Sequence, residues 1–297
     1  MRHWEHILKI AWLTDLHLNL VCETEVNKLC DVILNTDSDA ILITGDIASA
    51  RQLCRQLEYL ATRLMKPIYF VLGNHDYYGS SIRQQNSDVG RLAKKNPYLV
   101  WLSRSGIVQL SPDTCLIGHE GLADGRLGDP LGSTVVLNDY LHIEELRQPT
   151  KELRIKVQNK LGDAAARYLR KQLKSVVAAG YTKIIVALHV PPFPEACWHL
   201  GQNTDDNFLP HFGCRATGAV LKAFSLKHAD IDMSIYCGHT HSGGYAQILP
   251  NLQVHTSGAE YRDPRISGFI YVDATTIEGR YTMYEPLKHC VTCLQGT

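Results

Sequence analysis

Short apolar runs alternate along this chain with longer stretches in which apolar residues recur at helical spacing. The runs at 9–13, 40–43 and 68–72 predict strands, and the stretches at 23–34 and 51–65 predict helices between them. Strand–helix alternation at this spacing indicates βαβ units and a largely parallel sheet. From Leu99 the pattern turns to short strands without helices, at 107–110 and 114–117 among others. Such runs suit the antiparallel edge of a sheet or a second sheet. Leu153, Val157, Leu161, Ala165, Leu169, Leu173 and Val177 then recur at i+4, which predicts a long helix with a core-facing stripe, stopped at Gly180. After a strand at 183–188, residues 190–213 are rich in Pro, Asn and Asp and too long for a simple connection, so they form either a lid or a disordered segment. Strands return at 233–237, 245–249, 252–256 and 268–272, with a terminal hairpin reaching Tyr284. No repeat or linker interrupts the chain. The expectation is a single α/β domain over residues 1–297, with a lid or insert at 190–213.

The residues on which the apolar runs end are more informative than the runs. Asp15-Leu16-His17, Gly45-Asp46, Gly73-Asn74-His75-Asp76, His189 and Gly238-His239-Thr240-His241 place Asp, His and Asn beside predicted strands. A strand that ends on a polar residue lifts it to the rim of a sheet, where loops build sites. Metals of intermediate hardness accept carboxylate oxygen and imidazole nitrogen together, so five such rims suggest one metal constellation assembled from distant sequence. Glycines 45, 73 and 238 would let the backbone turn tightly there. Taken singly, His189 reads equally as a packed rim residue, and Asp15 and Asp46 as turn or capping residues. Asp76 reads either as an orienter of His75 or as a solvated turn carboxylate.

Composition removes some functional classes. Lys plus Arg and Asp plus Glu balance at 30 each, which argues against a general binder of nucleic acid or membrane surfaces. The first six residues carry no signal-peptide pattern and no apolar run approaches spanning length, so a soluble, cytoplasmic protein is expected. The nine cysteines lack framework spacing and fit reduced thiols. Cys290 and Cys293 have no second pair nearby and read as a fortuitous tail sequence.

Taken in order, D-x-H, G-D, G-N-H-D, H and G-H-x-H resemble the calcineurin-like metallophosphoesterase superfamily, the blocks spanning residues 15 to 241. The resemblance implies a four-layer α-β-β-α sandwich of two mixed sheets flanked by helices. It implies two divalent metal ions, manganese foremost and iron, zinc or nickel as alternatives. Asp15, His17 and His241 would hold one ion and Asn74, His189 and His239 the other, with Asp46 bridging. The implied reaction is hydrolysis of a phosphodiester in a small molecule through a metal-bridging hydroxide, with His75 assisting the leaving group. A phosphomonoesterase acting on a nucleotide or small metabolite is the near alternative. A non-catalytic binding protein is the distant one, because no ligand position is lost. The Asp-Arg-Gly of phosphoprotein phosphatases is absent after Gly45-Asp46, which counts against that subgroup.

Two segments would choose the substrate. The Gly-rich loop 118–129 carries Arg126, whose fork suits a phosphate as well as it suits a surface carboxylate. Loop 190–213 carries Phe193 and Trp198, which could stack on a base or sugar, although aromatics more often anchor a loop to its own domain. His119, His142, His199, His211 and His255 match no motif and read as structural or surface residues. Nothing in the pattern sets the oligomeric state.

Overall fold

The computed structural model describes residues 7–273. The proposed hairpin up to Tyr284 and the Cys290/Cys293 pair lie outside the described residues. The first part of the chain runs β1 (Ile7–Leu13), α1 (Glu23–Leu34), β2 (Ala40–Thr44), α2 (Ala50–Leu64), β3 (Ile68–Val71), α3 (Ile82–Lys95) and β4 (Leu99–Trp101). A short helix α4 (Leu102–Ser105) then leads into β5 (Val108–Gln109) and β6 (Thr114–His119). Next come α5 (Asp139–His142), the long α6 (Lys151–Ala179) and β7 (Lys183–Leu188). The connection beyond β7 contains a small hairpin, β8 (Trp198–His199) with β9 (Gln202–Asn203), and a helical turn, α7 (Leu209–Phe212). Then follow α8 (Arg215–Lys227), β10 (Asp232–Cys237), β11 (Gly244–Leu249), β12 (Leu252–Thr256) and β13 (Gly268–Asp273).

The strands form two mixed sheets. One has the order β13-β1-β2-β3-β4, with β1 to β4 parallel and β13 antiparallel on β1. The other has the order β11-β12-β10-β7-β6-β5, parallel at its centre and antiparallel at both edges. Central strands such as β2 and β7 are buried at every position, as continuous apolar runs require when both faces are covered. Period-two alternation then divides the strand residues among three cores. Ala11, Leu13, Ile41, Ile43, Ile68 and Phe70 pack outward on α1 and α2. Ile184, Val186, Leu188, Met233 and Ile235 pack outward on α6 and α8. Ile10, Trp12 and Leu42 face Ile185, Ala187 and Tyr236 across the seam between the sheets. Helix, sheet, sheet, helix is the four-layer arrangement expected from the motif order.

One expectation changes, and the structure adds three details. The stripe on α6 is not core-facing throughout, since Leu153 and Val177 are each 40% exposed while Ala165, Leu169, Leu173 and Val176 are buried. A strict i+4 repeat advances about 40° too far at each step on a helix of 3.6 residues per turn, so its ends rotate out of the core. Helix α3 arises in a stretch without a strong apolar stripe, since its buried residues are Gln85 and Val89. Helix α8 precedes the strand at 233–237 and buries Thr217, Gly218, Val220, Leu221 and Ser225. The connection at 190–213 is ordered, with Val190, Phe193, Ala196, Cys197, Leu209 and Phe212 buried. Cysteines 22, 30, 54, 115, 197, 214 and 237 are free, and no helix among the described residues is long and apolar enough to cross a membrane.

Candidate metal centre

All five motif blocks lie just beyond the C-terminal ends of β1, β2, β3, β7 and β10, three strands from one sheet and two from the other. The first two turns are zipped together, with Asp15 N, His17 N and Leu18 N donating to the carbonyls of Gly45, Asp46 and Ile47. Asp76 is neither solvated nor bonded to His75. It is fully buried and accepts from the backbone of Ile47, Ala48 and Gly73 at 2.8, 2.9 and 2.7 Å, tying the β2 and β3 turns. Across the seam, His239 N donates to both oxygens of Asp15 at 3.1–3.2 Å. The adjacent glycines matter mainly for space. A Cβ on Gly73 would lie 2.1 Å from Asp46 Oδ1, and one on Gly45, where φ is 98°, would lie 2.4 Å from His189 Nδ1.

One half of the cluster brings together Asp15, His17, Asp46 and His241, whose donor atoms all lie within 4.8 Å of one another. His17 Nε2 stands 3.2 Å from His241 Nε2 and 3.9 Å from Asp46 Oδ2, and His241 Nε2 stands 3.4 Å from Asp15 Oδ1. The other half gathers around Asn74 Oδ1, which meets His189 Nε2 and His239 Nδ1 at 2.9 Å each. Asp46 Oδ1 closes this half at 3.4 Å from His189 Nε2. Asp46 therefore presents one oxygen to each half.

The hydrogen positions in the second half follow from the surroundings. His189 Nδ1 faces the Thr44 carbonyl at 2.8 Å and His239 Nε2 faces the His211 carbonyl at 2.9 Å, so each ring carries its proton on the outer nitrogen. Asn74 Nδ2 donates to Asp139 Oδ1 at 2.8 Å, which turns Asn74 Oδ1 inward. Two imidazole lone pairs and a carboxamide oxygen thus converge with no hydrogen among them, an arrangement that a cation satisfies. Electrostatics agree. Burial, followed by the charges of Asp15 and Asp76, pushes the Asp46 carboxyl well above its ordinary range, a shift that a divalent cation reverses. Burial would raise Asp15 also, yet a hydrogen bond to His241 and the nearby imidazoles hold it below the ordinary range. Burial lowers His17 and His189 to about 3, which keeps both rings neutral and able to act as ligands. The donor set fits a pair of divalent ions.

His75 stands beside this set. Its Nε2 is 3.8 Å from Asp46 Oδ2, its side chain is 21% exposed, and its ring stacks on Tyr78 at 4.2 Å. Burial lowers it to about 4, against the opposing pull of Asp139 and Asp15. The predicted substrate residues have partners of their own. Arg126 is engaged by Asp124 and, at 2.7 Å, by Asp163 at the start of a groove between α6 and α8. Trp198 packs its ring against Gly244 on β11.

Four contributors escaped the sequence reading. Asp139 holds Asn74 and accepts from Tyr78 Oη. The carbonyls of Thr44 and His211 orient the His189 and His239 rings, and backbone atoms leave no trace in a motif. Tyr261, half-exposed, rests its ring 4.7 Å from those of both His17 and His241, forming one wall of the mouth.

Residues 8–243 match the model of the calcineurin-like phosphoesterases, and the chain belongs to this family of metal-dependent phosphoester hydrolases. Solved structures share the fold. A phosphopantetheinyl hydrolase from Mycobacterium tuberculosis superposes with a TM-score of 0.62 at 14% identity, covering 87% of this chain and 95% of its own. A dimetal phosphatase from Danio rerio gives 0.56 at 13% identity, covering 90% and 93%. No curated protein matches the chain.

Proposed function

We propose that Asp15, His17, Asp46 and His241 hold one divalent ion, that Asn74, His189, His239 and Asp46 hold a second, and that the protein hydrolyses a small-molecule phosphodiester. The observation that carries this reading is the convergence of lone pairs on Asn74 Oδ1, with Asp46 offering one oxygen to each half. Carboxylate, carboxamide and imidazole together suit manganese, with iron, zinc and nickel as substitutes. When bound, the two ions would supply an activated water for in-line attack and neutralise charge on the phosphoryl oxygens. The chain itself does the rest. Asp76 holds two ligand-bearing turns rigid, and Asp139 and the Thr44 and His211 carbonyls fix ligand orientation. His75, neutral and partly exposed, presents Nε2 toward the cluster and donates a hydrogen bond to the departing oxygen of a diester. Tyr78 and Tyr261 flank it and exclude water from one side.

The test is turnover of bis-p-nitrophenyl phosphate against p-nitrophenyl phosphate on protein reconstituted with manganese. The diester should have the higher kcat/KM. Asp46→Ala should lose metal and activity together, whereas His75→Ala should keep its metal and lose about 10²–10⁴-fold in diester turnover. Full diesterase activity in the His75 variant refutes its role, and preference for the monoester replaces the diesterase reading with a phosphomonoesterase.

A further inference from the structure

A concavity on the outer face of the second sheet's helices shares no residue with the metal centre. It is a groove of about 680 Å³ between the outer faces of α6 and α8. Its floor is apolar, built from Leu173 and Val220 with the half-buried Phe224, and the small side chains of Ala219 and Ala223 keep it deep. Val177, the residue that the drifting i+4 stripe turns out of the core, lies along it and is 40% exposed. The groove follows α6 from Asp163 to Val177 and α8 from Arg215 to His228, a length of about 20 Å at 1.5 Å per residue.

Its rim is basic. Arg170, Lys174, Arg215 and Lys227 are exposed, and none forms an ion pair among the described residues. Asp163, the acidic member of the lining, is occupied by Arg126. In a chain with no net charge, this is a local excess of positive charge around an apolar trough. The two helices cross over from parallel strands in the same direction, so these cations mark both ends and the middle of the groove. An amphiphile with a single headgroup would meet charge at one end. An amphipathic helix with acidic residues along its flanks meets it throughout, and four turns of helix match the groove's length.

We propose that this groove binds an acidic amphipathic helix from a partner protein, which docks as an additional helix against α6 and α8. Leucines on one face of the incoming helix fill the trough, and Glu or Asp on its flanks pair with the four cations, which raise the association rate and set orientation. The phosphoesterase reaction does not depend on it.

A labelled amphipathic peptide of about 18 residues, with leucines at helical spacing and Glu on the flanks, would be titrated with the metal-loaded enzyme by fluorescence anisotropy. Saturable binding that weakens with salt is expected, and Arg170→Glu/Lys174→Glu should weaken it at least about tenfold. Turnover of bis-p-nitrophenyl phosphate by the double variant should be unchanged. Ala223→Trp, which fills the trough without altering charge, should also abolish binding. No binding, equal binding of a Lys-flanked peptide, or indifference to both variants overturns the proposal. So does displacement of the peptide by anionic lipid vesicles at low concentration, or a dimer in sedimentation that the double variant dissociates, since a lipid or a second copy is then the occupant.

Discussion

Asp139 contacts no predicted ligand atom that points into the centre, yet it decides which end of the Asn74 carboxamide faces the imidazoles. Asp139→Asn should therefore weaken the second ion about 10–100-fold and leave the first nearly unaffected. Isothermal titration with manganese would resolve the two steps, and an unchanged second step would remove Asp139 from the site. His255 makes a different residue-level case. It is buried against Tyr236 and Tyr245, its Nδ1 has no hydrogen-bond partner among the described residues, and burial lowers it to about 4 from 6.5. Between those values the unfolded chain binds the proton and the folded chain refuses it. Stability from this residue is thus whole above pH 6.5 and falls as pH drops toward 4. Denaturant unfolding should show His255→Phe losing less stability than the parent between pH 7.5 and 5, by about 2 kcal/mol. At this scale the clustering of donor side chains was legible because motif order declares side chains. Asp139 was not, since a lone Asp opening a one-turn helix has no spacing partner in the sequence, and Tyr261 was passed over because it too stands outside any motif.

The strand ends explain why the blocks look as they do. Asp15, His17, Asp46, His239 and His241 all have left-handed backbone, with φ between 43° and 72°. For non-glycine residues this conformation costs about 1–2 kcal/mol each, Asp and His being among the more tolerant. Residues chosen purely for folding would have been Gly or Asn, so the cost is met where the side chain is needed. Strands such as β2 and β7 were legible because burial on both faces forces unbroken apolar runs. Helices α3 and α8 were not, because their inward faces carry Gln85 on one, and Thr217, Gly218 and Ser225 on the other, in place of a leucine stripe. On α8 the small inward face serves close approach. A Cβ on Gly218 would lie 2.0 Å from the Pro192 carbonyl oxygen. Gly218→Ala should therefore destabilise the protein by about 1–3 kcal/mol despite its better helix propensity, and a higher melting temperature would contradict this packing.

Three cores stack through the molecule, and the central one, between the sheets, is sealed at the strand C-termini by the donor cluster. Ligands from both sheets would close on the same ions, so metal occupancy should add to the cohesion of the whole. At a thousandfold excess over Kd, each ion would contribute about 4 kcal/mol. Calorimetry of chelated against manganese-loaded protein should show a lower melting temperature without metal, and equal values would mean that the cluster holds no ion in the native state. The four-layer plan was legible from motif order. The groove between α6 and α8 was not, because it depends on how a helical stripe drifts over many turns. The division of donor residues between the sheets reaches further. Residues 7–101 carry Asp15, His17, Asp46 and Asn74, while the three remaining imidazoles come from 183–241, across a long intervening stretch. Neither portion owns the complete donor set, so catalysis at this centre would work as a coincidence detector: turnover would register only molecules in which both sheets have been made and have met.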